Sequence, residues 1–231
     1  MKIQLSYLLL LILSFFGCAN QQQTVGQNDE KGVENISTYI QDKGYENLAV
    51  ATFAGGCFWC TEASFDRIQG VKEVISGYSG GDKAYPTYDE VSWGRTTHAE
   101  AIMIYYDPAV VSFETLLRVF FVAHDPTQLN RQGPDVGEQY RSAVFYHTEE
   151  QKAQTEAAIQ NLEQSGTFDK PVVTEVSPYK DFWVAESYHQ DYYEYHPESS
   201  YVQNVSRPKV EKVMKTFAGI LKEAYRKEGK N

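Results

Sequence analysis

Ala49-Val50-Ala51-Thr52-Phe53-Ala54-Gly55-Gly56-Cys57-Phe58-Trp59-Cys60 is the stretch from which the fold can be read outward. Ala49 to Ala54 is a short apolar run closed by glycines, the pattern of a buried strand. After Gly55-Gly56 the period changes, and Phe58, Trp59, Ala63, Phe65 and Ile68 suit one side of a helix that stops at Gly70. A strand passing into a helix through a glycine turn puts Cys57 at the helix start. Unpaired N–H groups and the positive end of the dipole there favour thiolate over thiol, and the Gly-Gly turn with adjacent aromatics predicts exposure. Cys60, three residues on, lies on the same side of the first turn, close enough for a Cys-x-x-Cys disulfide.

Beyond this unit, Val71 to Ser76 is a candidate strand and Gly77-Tyr78-Ser79-Gly80-Gly81 a loop. Glu100, Ile102, Ile104 and Tyr106 share one face of a further strand that Asp107-Pro108 ends. Burial of Glu100 on that apolar face is expected to raise its pKa towards neutrality. Ser112 can cap a helix through Leu116, Leu117 and Phe120 towards His124. Arg141 to Tyr146 reads as a strand, and Thr148 with Gln151 opens a helix ending near Gly166. Val172 to Val176 is strand-like, and Ser206 to Pro208 starts a last amphipathic helix. The elements alternate without clean right-handed crossover units. They indicate one α+β domain, a mixed sheet packed with helices. The loops between Gly77 and Ala99 and between Asp125 and Tyr140 are long enough to carry a site.

The 231 residues carry 21 basic and 31 acidic side chains, a net charge of −10, with 42% hydrophobic and 14% aromatic content. A core is affordable, and a wholly disordered chain is excluded. The acidity argues against nucleic-acid binding, which needs a basic face. Three cysteines are too few for a disulfide framework or a four-sulfur zinc site, and the five histidines show no second ligand pair at metal spacing. No metal is expected.

Lys2 precedes an apolar run through Leu8 to Phe16, followed by Gly17 and Cys18. The run is too short for a mature bilayer span but suits a secretory signal. A small residue before a cysteine there resembles a bacterial lipoprotein signal, with cleavage before Cys18 and acylation of its thiol. An ordinary signal peptide or an uncleaved anchor is the alternative. Export is expected either way, to a lipid-anchored position on the periplasmic or cell-surface side. Residues 1–17 are then signal, 18–46 a flexible tether rich in Gln, Asn and Gly, and 47–231 the catalytic domain.

Gly56-Cys57-Phe58-Trp59, Ser76-Gly77-Tyr78-Ser79-Gly80-Gly81, Pro86-Thr87-Tyr88, His98-Ala99-Glu100 and His124-Asp125-Pro126-Thr127-Gln128-Leu129-Asn130 occur in that order. Gln132-Gly133-Pro134-Asp135-Val136-Gly137, Gln139-Tyr140-Arg141-Ser142 and Ala185-Glu186-Ser187-Tyr188-His189-Gln190 follow. The ordered set resembles the type A peptide methionine sulfoxide reductases. The resemblance implies reduction of methionine sulfoxide, of the S epimer, in proteins and in free form, as repair of oxidative damage.

It also implies roles. Cys57 would be the nucleophile that becomes a sulfenic acid, and Glu100 the protonated acid that donates to the sulfoxide oxygen. Phe58 and Trp59 would wall the methyl group, and Tyr88 and Tyr140 would hydrogen-bond the oxygen. Asp135 would help place substrate or a water. No bound cofactor is implied, and recycling would draw on thioredoxin or another dithiol. No cysteine follows Cys60, and Ser92 stands where relatives often carry one, so Cys60 is the first choice as resolving thiol. A free Cys18 on its tether and an external thiol are the other routes. A monomer is expected. The competing readings are a membrane-tethered thioredoxin-like oxidoreductase using the same Cys-x-x-Cys and a binding module built on the Tyr188 to Tyr201 aromatic stretch.

Overall fold

The computed structural model describes residues 33–226. The expected signal, Cys18 and most of the expected tether lie outside the described residues. Among the described residues nine strands are seen: β1 (Glu34–Asn35), β2 (Ala49–Gly55), β3 (Val71–Ser79), β4 (Ala99–Tyr106), β5 (Arg131–Gln132), β6 (Asp135–Val136), β7 (Ser142–Tyr146), β8 (Glu175–Pro178) and β9 (Phe182–Val184). Seven of them form one sheet in the order β1-β9-β3-β4-β2-β7-β8, and β5 pairs with β6 in a separate hairpin. Every neighbouring pair in the large sheet is antiparallel except β7 with β8. The sheet is therefore mixed, as expected.

The helices are α1 (Ile36–Tyr39), α2 (Phe58–Asp66), α3 (Tyr88–Ser92), α4 (Phe113–Ala123), α5 (Glu149–Ser165), α6 (Tyr192–Tyr195) and α7 (Arg207–Thr216). Alternation along β4 divides the core in two. Ile102, Ile104 and Tyr106 face the larger cluster with Phe58, Phe65, Leu116, Phe120 and Val213, while Ala101, Met103 and Tyr105 face the smaller one. Ser112 caps α4 by accepting from the Thr115 N–H at 3.1 Å, and Thr148 caps α5 by accepting from the Gln151 N–H at 3.1 Å.

Four expectations are corrected. The tether does not extend to residue 46, because β1 pairs with β9 and Ile36, Tyr39, Ile40, Tyr45 and Leu48 cover the second face of the sheet. Polar residues between these side chains mask their shared face. The strand expected to end at Ser76 runs on through Ser79, with Gly77 paired to Val184. A Cβ on Gly77 would stand 2.3 Å from the Trp183 carbonyl, so glycine here permits close strand approach instead of making a loop. The strand expected at Val172 to Val176 is displaced to β8, since the Val173 N–H donates to the Pro126 carbonyl across the loop. Helix α2 is buried on all sides, with Cys60, Thr61, Glu62, Ala63, Ser64 and Phe65 all enclosed. A one-sided apolar stripe therefore understates its burial.

Candidate active site

Gly56 turns the chain with φ +88°, and a Cβ there would come 2.6 Å from the Gln132 side chain. The turn delivers Cys57 to the N-cap position of α2. From the sheet, β4 presents Glu100 opposite Tyr78 of β3. The two elements meet where the Phe58 N–H donates to Glu100 Oε2 at 3.1 Å. One of the free N–H groups of the helix start is thus given to the carboxyl group.

The expectation of an exposed, dipole-stabilised Cys57 thiolate is corrected here. Cys57 is only 5% exposed. Burial pushes its thiol well above the usual value, Cys60 and the charge of Glu100 push the same way, and the Tyr201 hydroxyl opposes them. Desolvation outweighs a partial dipole charge that Glu100 also draws upon. Cys60 goes the other way, down to about 7. Its hydrogen bond with Cys57 is the main cause, and the Lys209 charge and Ser206 add to it against burial. Cys60 S–H lies 3.2 Å from Ser206 Oγ, which accepts it in the dithiol. Both cysteines are free thiols.

Glu100 is 2% exposed, and burial raises its carboxyl from 4.5 to about 8 against the pull of the Phe58 N–H. At neutral pH it is an uncharged acid. That state removes its repulsion of a Cys57 thiolate, so the two ionisations favour one another's opposite.

Aromatic side chains enclose the pair. Phe58 is packed by Tyr78 at 5.9 Å, Tyr88 at 6.5 Å and His189 at 5.1 Å between ring centroids. Trp59 is half-buried, stacks on Tyr192 at 3.8 Å and meets Tyr201 edge-on at 5.6 Å. Its indole N–H donates to His189 Nδ1 at 3.1 Å, and burial holds His189 near 4, so the imidazole is neutral and can accept. Tyr88 is fixed through its backbone N–H to Glu186 Oε1 at 2.9 Å, while Glu186 Oε2 accepts the Tyr78 hydroxyl at 2.8 Å.

Tyr140 ends the short turn Glu138–Tyr140 that follows Gly137. Burial raises the Tyr88 and Tyr140 phenols, and the charge of Glu100 raises them further, so both are O–H donors over the whole working range of pH. Asp135, on the β5–β6 hairpin, accepts the Tyr201 hydroxyl at 2.6 Å. Hydrogen bonds, ring contacts and charge interactions link the residues selected from sequence into one cluster: Cys57, Cys60, Phe58, Trp59, Tyr88, Glu100, Asp135 and Tyr140.

Sequence reasoning missed Tyr201, Glu186, His189, Ser206 and Lys209. Glu186 and His189 stand within a quoted motif, but the resemblance gives them no role. Tyr201 had no local signal to separate it from the other 16 of the 17 tyrosines.

The sequence profile described as "Peptide methionine sulfoxide reductase" matches residues 49–220. "Peptide methionine sulfoxide reductase MsrA" of Thermus thermophilus is 50% identical over 173 residues, which cover 75% of this chain and 97% of that protein. The Methanosarcina mazei protein of the same name is 46% identical over 203 residues, 88% of this chain and 94% of that one. Among solved structures, Mxr1 from Saccharomyces cerevisiae in reduced form aligns with TM-score 0.61 at 30% identity, covering 73% of this chain and 92% of that chain. Methionine sulfoxide reductase A of Corynebacterium diphtheriae aligns with TM-score 0.60 at 31% identity, covering 68% and 79%. With the profile running from β2 to the end of the helical layer and the relatives aligned over nearly their whole length, this chain belongs to the peptide methionine sulfoxide reductases, in the MsrA branch, enzymes that return methionine sulfoxide to methionine.

Proposed function

We propose that Cys57 attacks the sulfoxide sulfur while Glu100, as the neutral acid, donates to the departing oxygen. The observation that carries this reading is the Glu100 carboxyl, buried, held near 8 and tied at 3.1 Å to the helix start that bears Cys57. Cys57–SH and the sulfoxide give Cys57–S–OH and the thioether, so the oxygen passes from substrate sulfur to enzyme sulfur. Phe58 and Trp59 enclose the substrate methyl, the Tyr88 and Tyr140 hydroxyls hold the oxygen, and Asp135, which accepts the Tyr201 hydroxyl, helps place the substrate or a water. The S epimer is the substrate by family resemblance.

Cys60 then displaces hydroxide from Cys57–S–OH, forming the Cys57–Cys60 disulfide and water. The nearby Lys209 charge and the Ser206 hydroxyl favour ionisation of the Cys60 sulfur, and the thiolate is the state that attacks. Thioredoxin or another dithiol takes up the disulfide and becomes oxidised itself. The enzyme acts as a monomer without a bound cofactor. It is exported and lipid-anchored through Cys18, where it repairs oxidised methionine in exposed proteins.

One mass-spectrometric map tests the scheme on protein taken from the expressing bacterium. After one equivalent of a methionine sulfoxide peptide, one methionine and one Cys57–Cys60 disulfide per chain are expected, on a chain that begins at a diacylated Cys18. Sulfur chemistry confined to another position removes Cys57 as nucleophile, and an intact Met1 end removes the lipid anchor.

A further inference from the structure

Lys209 carries a polar group that the reaction scheme leaves unused. Its Nζ is buried and has no hydrogen-bond partner among the described residues. A buried ammonium without a counter-ion is unfavourable, so this placement calls for an anion in some state of the protein.

The neighbouring geometry supplies one. Residues 202–206 form a single π-helical turn that leads straight into α7, a distortion frequent at functional sites. Ser206 ends that turn, fully buried, with its hydroxyl 3.2 Å from the Cys60 sulfur. Lys209 stands three residues on, one helical turn along the same face. Its positive charge is felt at Cys60 and also at His124, which burial keeps neutral.

We propose that Lys209 is a positioning residue for recycling: its ammonium, carried one helical turn beyond Ser206, stabilises the thiolate form of Cys60. The inference rests on the reading of Cys60 as the resolving thiol. As Cys60 ionises, the Ser206 hydroxyl turns from accepting to donating, and the lysine gains its counter-ion. The groups that face Cys60 from the other elements are Cys57 on its own turn, Asp135 on the β5–β6 hairpin, Glu100 on β4 and Tyr201. The charge of Asp135 resists the thiolate; Lys209 offsets it.

The same charge serves two bond changes. Cys60–S⁻ attacks Cys57–S–OH, the S–S bond forms and hydroxide departs as water. When a thiolate of the dithiol donor attacks Cys57, the S–S bond breaks and Cys60 leaves as the stabilised thiolate. The second thiol of the donor then frees Cys57, and the donor is left as its disulfide.

The experiment follows disulfide closure on the full chain after one equivalent of a methionine sulfoxide peptide. Samples are quenched with an alkylating agent and mapped by mass across the pH range. Loss of the lysine charge in Lys209→Met is expected to move the midpoint of the closure profile up by about one pH unit, as for removal of a nearby opposite charge. Below that midpoint the thiolate fraction falls about tenfold. The greater nucleophilicity of a more basic sulfur offsets part of this, leaving closure about three- to fourfold slower. Lys209→Arg restores the midpoint. Lys209→Gln gives a second neutral variant with the same expectation should the methionine disturb packing.

Thermal stability of Lys209→Met is expected to hold or rise, because an unpaired buried charge is removed. A lysine with a purely structural part would show a lower melting temperature and an unmoved midpoint. A wild-type midpoint in both neutral variants, or a shifted one that arginine does not restore, overturns the inference. A wild-type chain that forms no Cys57–Cys60 disulfide instead overturns the reading of Cys60 and takes this inference with it.

Discussion

Replacing Glu100 by glutamine is expected to make the protein more stable and the enzyme nearly inactive, with both effects tied to pH. In the folded chain the buried carboxyl keeps its proton up to about 8, whereas the unfolded chain releases it at 4.5. Between those values the native state binds more protons than the unfolded state, so this group lowers stability as pH rises through the window. At about 1.36 kcal/mol per pH unit, the cost at pH 7 is about 3 kcal/mol, and it levels off near 5 kcal/mol above pH 8. Glutamine never ionises, and its carbonyl can still accept the Phe58 N–H that now goes to Glu100 Oε2. Accommodating the amide donors takes back about 1 kcal/mol. The net gain at pH 7 is about 2 kcal/mol, or about 6 °C in melting temperature for a domain of this size. At or below pH 4.5 the gain disappears.

The assay is paired thermal unfolding of wild type and Glu100→Gln at pH 4.5, 7 and 8.5, alongside single-turnover methionine release. Loss of the proton donor should slow release by about 10²-fold or more. Equal melting temperatures at pH 7 and 8.5 would show that the carboxyl is not desolvated as described. A wild-type rate of release would show that it is not the acid.

Cys60→Ser should retain a single burst of methionine but lose turnover with thioredoxin as donor; steady turnover at the wild-type rate means that another thiol resolves Cys57. Gly77→Ala should destabilise by about 3 kcal/mol or more, read by urea unfolding, because its Cβ would stand 2.3 Å from the Trp183 carbonyl and force β3 from β9. A loss under about 1 kcal/mol would show that the two strands can part without cost.

The strand, glycine turn and helix around Cys57 were legible because each is local: an apolar run, two glycines and a change of period within 20 residues. The same holds for the helix caps at Ser112 and Thr148, where one side chain meets an N–H three residues away. Glu100 was legible as a buried acid because strand alternation put it in line with Ile102 and Ile104. The β1–α1 segment was not legible. Its apolar side chains find a partner only once β9 is in place, and its composition alone resembles a spacer. The Gly77 region misled for a related reason, since a glycine that admits a neighbouring strand looks the same in sequence as one that makes a turn.

By itself, then, the sequence determined the strand, turn and helix around Cys57, the helix-start cysteine pair and the carboxyl destined for the apolar face, all consequences of spacing and side-chain chemistry along the chain. Tertiary structure alone decided that the pair is desolvated and what surrounds it. Burial raises Cys57 as the helix sinks into the core, whereas Cys60 is lowered first by its hydrogen bond with Cys57, three residues away, and then by Lys209 and Ser206, roughly 150 residues further along. Proton affinity depends on burial and on charges near in space, and neither can be read from distance along a chain.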